Sequence, residues 1–384
     1  MKIILYISNF NPIGGVERFV LNFYKRFPET IVLYDNGNPS IGEKINWHKI
    51  YNCDLFISAS AWGQSAFDNI EAKIYIQMVH ADYRVLLEGW KFEYKKHWKT
   101  THHICVSETV KKGFEEVTPY KCDAVFYNFI DDSIKPLPKH KNDILRLVTI
   151  SRISHEKGFE RMAKFAKLIP VPFVWEVWGN ANTGYAKNAI KDFNFKGITN
   201  TPHLEIAKAD YVVQLSDSEG NCCIINESLQ MHTPVLLTPF PSGYEQVEDG
   251  VNGYRIPFDL NNIDWDSITN NIPVVKEYKE KTTVKDWLKF FNFALNNFHM
   301  ENKLVKVRVL KQITNGPIGS IIEISQDRAT AGIDRGLIEL VIDIPVKTAE
   351  EKMTEFKTKT TKNKPLVFED DEDFKEFINK KKTK

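Results

Sequence analysis

Short apolar runs alternate with amphipathic stretches along most of this chain. The first run, Lys2 to Ile7, passes through a loop ending in Gly14-Gly15. Val16, Phe19, Val20, Phe23 and Phe27 then recur at helical spacing and predict a helix with one apolar stripe. Further strand-length runs follow at Thr30 to Tyr34, Asp54 to Ala59, Lys73 to Val79, His103 to Ser107 and Ala124 to Tyr127. Buried strands alternating with helices predict a parallel sheet covered on both faces. A break falls at Asp131 to Asp143, where Pro136, Pro138 and several lysines read as a linker. The alternation then restarts with a strand at Leu145 to Ile150 and a helix at Phe159 to Ile169. Strands follow at Phe173 to Trp178, Tyr211 to Leu215 and Pro234 to Thr238.

The pattern changes twice more. Trp287, Phe290, Phe291, Ala294, Leu295 and Phe298 form a helical stripe. From Leu304 the period drops to two, with strands predicted at Val305 to Val309, Ile321 to Ile324 and Leu337 to Ile342, and a turn at Gly316-Pro317. The predicted organisation is therefore an α/β domain over 1–135, a second over 140–284, a helix over 285–300, a small β-rich module over 303–345 and a mobile charged tail over 346–384.

Composition narrows the function. The 384 residues carry 51 Lys plus Arg against 50 Asp plus Glu, which argues against a globally basic nucleic-acid binder. The five cysteines form no Cys-x-x-Cys pair, so neither a zinc site nor a disulfide framework is indicated. No apolar run approaches the roughly 20 residues of a spanning helix. The apolar start is too short for a signal peptide and reads as a buried strand, so a cytoplasmic protein is expected.

Three places carry candidate chemistry. Glu219 and Glu227 stand with seven residues between them, the first in a loop with Gly220 and Asn221, the second inside a helix starting near Cys222. Carboxylates bind sugar hydroxyls, and a helix N-terminus suits a phosphate. Arg152 and Lys157 flank a loop between a strand and a helix, where two cations suit a pyrophosphate. Gly14-Gly15 lacks the Gly-x-Gly-x-x-Gly spacing and gives no support for a nicotinamide cofactor. Each alone is as well explained by ordinary surface charges or a tight turn. Asp264-Trp265-Asp266 has the spacing of a metal-binding Asp-x-Asp, but its position suits a surface loop or helix cap. The acidic run Glu369 to Asp373 lacks the spacing of a calcium loop and reads as a solvated tail.

In order along the first 300 residues, these segments resemble the family-4 glycosyltransferases of the GT-B fold. The matching segments are Gly14-Gly15-Val16-Glu17-Arg18, His80 after a strand, Val106-Ser107-Glu108, Asn128-Phe129-Ile130-Asp131, and Arg152 with Lys157-Gly158. The Glu219/Glu227 pair, Pro234-Val235 and Glu248 to Gly253 complete the set. The resemblance implies two Rossmann-like domains facing a cleft, with the Trp287 helix crossing back to the first. It implies retaining, metal-independent transfer of a hexose, of glucose or N-acetylglucosamine type, from a UDP-sugar without a further cofactor. Arg152 and Lys157 would hold the diphosphate, Glu227 the ribose, and Glu219 with the backbone of Gly220 and Asn221 the sugar ring. Gly14 and Gly15 would approach the phosphate or the acceptor, and His80 would touch the donor sugar or assist at the reaction centre. A histidine satisfied by strand-end packing is the plainer account of His80. His232 and Cys222-Cys223 depart from the family's usual small, Phe, Pro or Gly residues without removing a charge that the mechanism needs. The alternative function is a nucleotide-sugar-binding scaffold that has lost transfer, though retention of all four charged residues favours an enzyme.

The acceptor is open between an envelope polymer or glycolipid, a virion protein and a modified DNA base. The stretch Trp90 to Lys99 is basic and aromatic and suits a membrane or anionic polymer, although an amphipathic helix with inward aromatics is favoured. The C-terminal β module loosely resembles SH3-like modules of phage proteins. That likeness would make the gene viral and place the protein in the host cytoplasm; oligomerisation or tethering is the module's plainer role.

Overall fold

The computed structural model describes residues 1–11, 14–60, 64–138, 143–191, 193–301, 304–309, 321–325 and 338–340. Two parallel sheets are built from successive halves of residues 1–299, which form one compact unit. The first sheet contains β1 (Ile3–Phe10), β2 (Ile31–Gly37), β3 (Glu43–Lys44), β4 (Tyr51–Ser58), β5 (Ile70–Val79), β6 (His102–Cys105) and β7 (Ala124–Val125). Helices α1 (Gly15–Arg26), α2 (Tyr83–Trp90) and α3 (Glu108–Val117) connect its strands. The second sheet contains β8 (Leu145–Ile150), β9 (Phe173–Trp178), β10 (Asn194–Gly197), β11 (Tyr211–Gln214), β12 (Val235–Leu237) and β13 (Gly253–Arg255). Its helices are α4 (Phe159–Ala166), α5 (Gly184–Ala189), α6 (Pro202–Lys208), α7 (Cys223–Gln230), α8 (Gly243–Gln246) and α9 (Trp265–Asn270).

Both sheets are doubly wound in the same way. The first runs β3-β2-β1-β4-β5-β6-β7 and the second β10-β9-β8-β11-β12-β13. In each, the chain leaves the first strand in one direction and returns on its other side. That reversal opens a crevice beyond the carboxyl ends of β1 and β4, and of β8 and β11, where ligands bind in such sheets. Strand β1 shows why the apolar runs are continuous rather than alternating. Ile3, Leu5 and Ile7 pack on one face with α1, while Ile4 and Tyr6 pack on the other.

Helix α10 (Val284–Glu301) buries Trp287, Phe291 and Ala294 in the core of the first sheet, although it follows the second. The Trp287 ring meets Phe23 of α1 edge-on at 5.1 Å and lies 4.6 Å from Phe126. Beyond it, β14 (Leu304–Val309) pairs antiparallel with β15 (Ile321–Ser325) and β16 (Ile338–Leu340) in a separate three-stranded sheet. The predicted Gly316-Pro317 turn, residues 326–337, both ends of the predicted Leu337 to Ile342 strand, the acidic run 369–373 and the tail lie outside the described residues, as does the centre of the proposed linker, 139–142.

One expectation is corrected. Residues 90–99 are not an amphipathic helix. Helix α2 ends at Trp90, and Lys91 takes a left-handed conformation (φ 53°) that stops it. Phe92 and Tyr94 do pack inward against Tyr83, but Trp98 is 78% exposed, flanked by Lys99. Short edge strands β10 and β13 carry too few apolar residues to register as runs. Asp264 caps α9 through the backbone N–H of Ser267. No helix among the described residues is long and apolar enough to cross a membrane.

Candidate active site

The loops after β8 and β11 meet at the second switch point. Gly158 turns the chain from the Lys157 loop into α4 with φ +72°, and a Cβ there would stand 1.9 Å from the Leu215 carbonyl oxygen. Only glycine fits that turn. It places Lys157 Nζ 2.6 Å from Glu219 Oε1. The same oxygen accepts hydrogen bonds from Gln214 Nε2 at 2.9 Å and from the Ser216 hydroxyl at 2.7 Å. Both side chains of the pair are largely buried. Burial alone would push the Lys157 ammonium down, but the Glu219 charge carries it above its ordinary value. Lys157 is thus a fixed cation at neutral pH.

Arg152 lies on the same loop but extends toward solvent, its Nη2 3.6 Å from Glu156. Glu17 of α1 faces this charge across the cleft. Burial raises the Glu17 carboxyl, against a hydrogen bond from its own backbone and the Arg152 field. Gly14 and Gly15 sit at the head of α1. The Gly14 carbonyl accepts from the Arg18 N–H, and the Gly15 carbonyl lies 3.7 Å from Cys223 Sγ.

Glu227 is not a surface residue. It is buried in α7, and Arg18 Nε reaches it across the cleft at 3.0 Å. Burial raises its carboxyl above the usual range, more than Arg18 lowers it. Cys222, which precedes α7, gives the helix no side-chain cap, and the positive end of the helix follows directly on the Glu219 loop.

The first half closes over this loop. A Cβ on Gly220 would stand 2.0 Å from the His80 carbonyl oxygen, so glycine permits the approach of the two backbones. The Ser107 hydroxyl donates to the Gly220 carbonyl at 2.7 Å. Asn221 ties the halves through its side chain: its Oδ1 accepts from the Asn128 N–H at 3.0 Å, and its carbonyl accepts from Asn128 Nδ2 at 2.8 Å. The His80 ring packs on Phe19, its Nε2 is buried without a partner, and burial lowers its pKa to about 4. It is therefore neutral at pH 7 and not satisfied by packing alone. An unpaired buried nitrogen is what a ligand's hydroxyl could satisfy.

Of the nine residues assigned to the site, Lys157 and Glu219 are in direct contact and Gly220 lies against the His80 backbone, while Gly15, Asn221 and Glu227 make their contacts with Cys223, Asn128 and Arg18. The sequence pattern did not mark Arg18, Gln214 or Ser216. Arg18 stood inside a matched segment, but its partner Glu227 lies in the other half of the chain. Gln214 and Ser216 lie within five residues of Glu219 but are ordinary polar residues at the end of β11.

No protein-family model matches the chain, and no curated protein matches it in sequence. Solved structures do match its fold. Anabaena HepE in complex with UDP-glucose superposes with a TM-score of 0.57 at 16% identity, over 78% of this chain and 94% of that one. The lipopolysaccharide outer core galactosyltransferase WaaB, in its apo form, gives 0.54 at 14% identity over 77% and 99%. AviGT4, a glycosyltransferase of avilamycin A biosynthesis, gives 0.51 at 14% identity over 77% and 98%. The two parallel-sheet domains thus have the GT-B fold of glycosyltransferases.

Proposed function

We propose that the chain is a retaining, metal-independent glycosyltransferase that takes a hexose from a UDP-sugar. The observation that carries this is the Lys157–Glu219 pair, held by Gln214 and Ser216 at the switch point of the second sheet, with the adjoining Gly220 in contact with His80 and Ser107 of the first. The UDP-glucose bound by HepE supports the choice of donor.

Lys157 and Arg152 balance the charge that develops on the leaving diphosphate, aided by the uncapped start of α7. Glu219 accepts from the sugar hydroxyls beside the Lys157 ammonium. Glu227 accepts from the ribose hydroxyls. In the transfer, the bond from the anomeric carbon to the diphosphate oxygen breaks. The acceptor oxygen bonds to the same face of that carbon, and its proton passes to the departing phosphate. No protein nucleophile is required. Neutral His80 hydrogen-bonds the sugar near the reacting centre. Trp98 and the exposed Lys91 offer a peripheral contact for an anionic polymer or membrane, whereas Lys99 is held by Glu71 and the Phe67 and Ile70 carbonyls.

The test is UDP release from a panel of UDP-sugars, with Lys157→Ala as control. Release from one sugar, lost in the control, supports the reading and names the donor. If the wild type also fails to bind UDP by calorimetry, the reading is wrong.

A further inference from the structure

Helix α8 has only four residues, yet three side chains at its start and end hold different parts of the site. The Ser242 hydroxyl donates to the Glu219 carbonyl at 2.6 Å. Gln246 accepts from the Cys222 N–H at 3.1 Å and donates to the Cys222 carbonyl at 2.9 Å. These two fix both ends of the loop that carries Glu219, Gly220 and Asn221. Glu245, between them, points the other way, into the first half.

Its carboxylate is fully engaged there. Oε2 accepts from the Glu108 N–H at 3.0 Å and from the Tyr127 hydroxyl at 2.7 Å. Oε1 accepts from the Thr109 N–H at 2.8 Å and the Thr109 hydroxyl at 2.5 Å. Glu108 and Thr109 open α3, so their N–H groups have no partner within the helix. The helix's own cap, Ser107, serves only the Val110 N–H at 3.1 Å. Glu245 thus completes the cap of a helix belonging to the opposite half. The same Ser107 hydroxyl donates to Gly220, so α3 grips the donor loop and the helix behind it at once. Lys281 adds a bond to the Glu245 carbonyl and lies over the Tyr127 ring at 4.9 Å.

These bonds are polar and lie at the edge of the cleft. When the halves part, water can take every donor and the carboxylate alike, so the contact is suited to being made and broken. A carboxylate at a helix N-terminus also gains from the dipole.

We propose that Glu245 is a positioning residue for transfer: it clamps the α3 N-terminus to the donor loop and so sets the closed cleft in which His80 meets the sugar. The clamp rests on the transferase reading only for its kinetic consequence. Its geometric consequence stands apart from it.

The experiment compares wild type, Glu245→Ala and Glu245→Gln as full chains. Small-angle scattering reads closure, calorimetry reads UDP binding, and UDP release from UDP-glucose reads turnover. The alanine variant is expected to have a larger radius of gyration. Its kcat for UDP release should fall about 10- to 100-fold, because misplacing one half disturbs the reacting geometry. UDP affinity, set by the second half, should stay within about threefold. The glutamine variant, which keeps one acceptor oxygen, should lie between. If Glu245→Ala does not fold, Tyr127→Phe removes a single donor and should open the cleft in the same direction. Scattering identical to wild type in the folded variants overturns the clamp, and so does unchanged kcat with only a lower melting temperature. Should the wild type bind no UDP, the scattering comparison still decides the clamp while the transferase reading falls.

Discussion

Two ion pairs occupy the cleft, and they differ in kind. Lys157–Glu219 lies within the second half, is supported by Gln214 and Ser216, and holds its cation above the ordinary lysine value. Arg18–Glu227 joins the halves, with Arg18 partly in water and Glu227 buried. There the carboxyl sits above its ordinary value, so its burial outweighs the attraction of its partner. The first pair is preorganised, and its cation is favoured. The second places a carboxyl where burial disfavours its charge. A buried acid shifted in this way is found more often at ligand-binding sites than at structural ties.

The largest effect should come from breaking the preorganised pair. Lys157→Ala removes the fixed cation to which the proposed reaction assigns the leaving phosphate, and UDP release should fall by about 10³-fold or more. The fold should survive, since Gln214 and Ser216 still satisfy Glu219 Oε1. Circular dichroism beside the kinetic assay checks both. Turnover within tenfold of wild type would remove Lys157 from the mechanism and erase the contrast between the pairs.

How much of this the sequence showed follows from the range of each interaction. The strands were legible because a sheet covered on both faces makes continuous apolar runs, as in Ile3 to Ile7. Edge strand β10, Asn194–Gly197, was not, because an edge needs little apolar surface. Lys157, Gly158, Glu219 and Glu227 stood out because they fall in order within the set of family-like segments, whereas each strand–loop–helix pattern alone could be read as ordinary surface charge. Glu245 did not, because nothing near it in sequence marks a residue whose partner Glu108 is 137 positions away. The stretch 90–99 misled because its aromatics do pack inward. Periodicity could not reveal that Lys91 turns out of the helix.

A smaller effect is expected at the bridging pair. Arg18→Ala strands a buried carboxylate, and partners removed from buried charges cost several kcal/mol. Arg18 is itself partly exposed and Glu227 can take up a proton, so the loss should be about 1–2 kcal/mol at pH 7. Urea unfolding measures it. The loss should shrink toward pH 4, because protonated Glu227 needs no cation. A loss that is the same at both pH values would mean that Arg18 acts by packing alone.

Glu227→Gln separates binding from stability most finely. Gln keeps the shape but replaces a charged acceptor, so UDP affinity should weaken about tenfold, the scale of one hydrogen bond to a charged group. Stability should move the other way. The folded Glu227 carboxyl binds its proton more tightly than the unfolded one. Wild-type stability therefore loses a contribution as pH rises from the unfolded value, about 4.3, through the folded value. The glutamine variant does not titrate and avoids that loss. It should match the wild type near pH 4 and equal or exceed it at pH 7, with Arg18 free to turn to solvent. Melting curves at the two pH values, beside UDP calorimetry at pH 7, test the pair of claims. A variant that binds UDP as well as wild type yet unfolds more easily at pH 7 would show that Glu227 serves the fold. The bridging pair would then be a structural tie like its neighbour at Asn128 and Asn221.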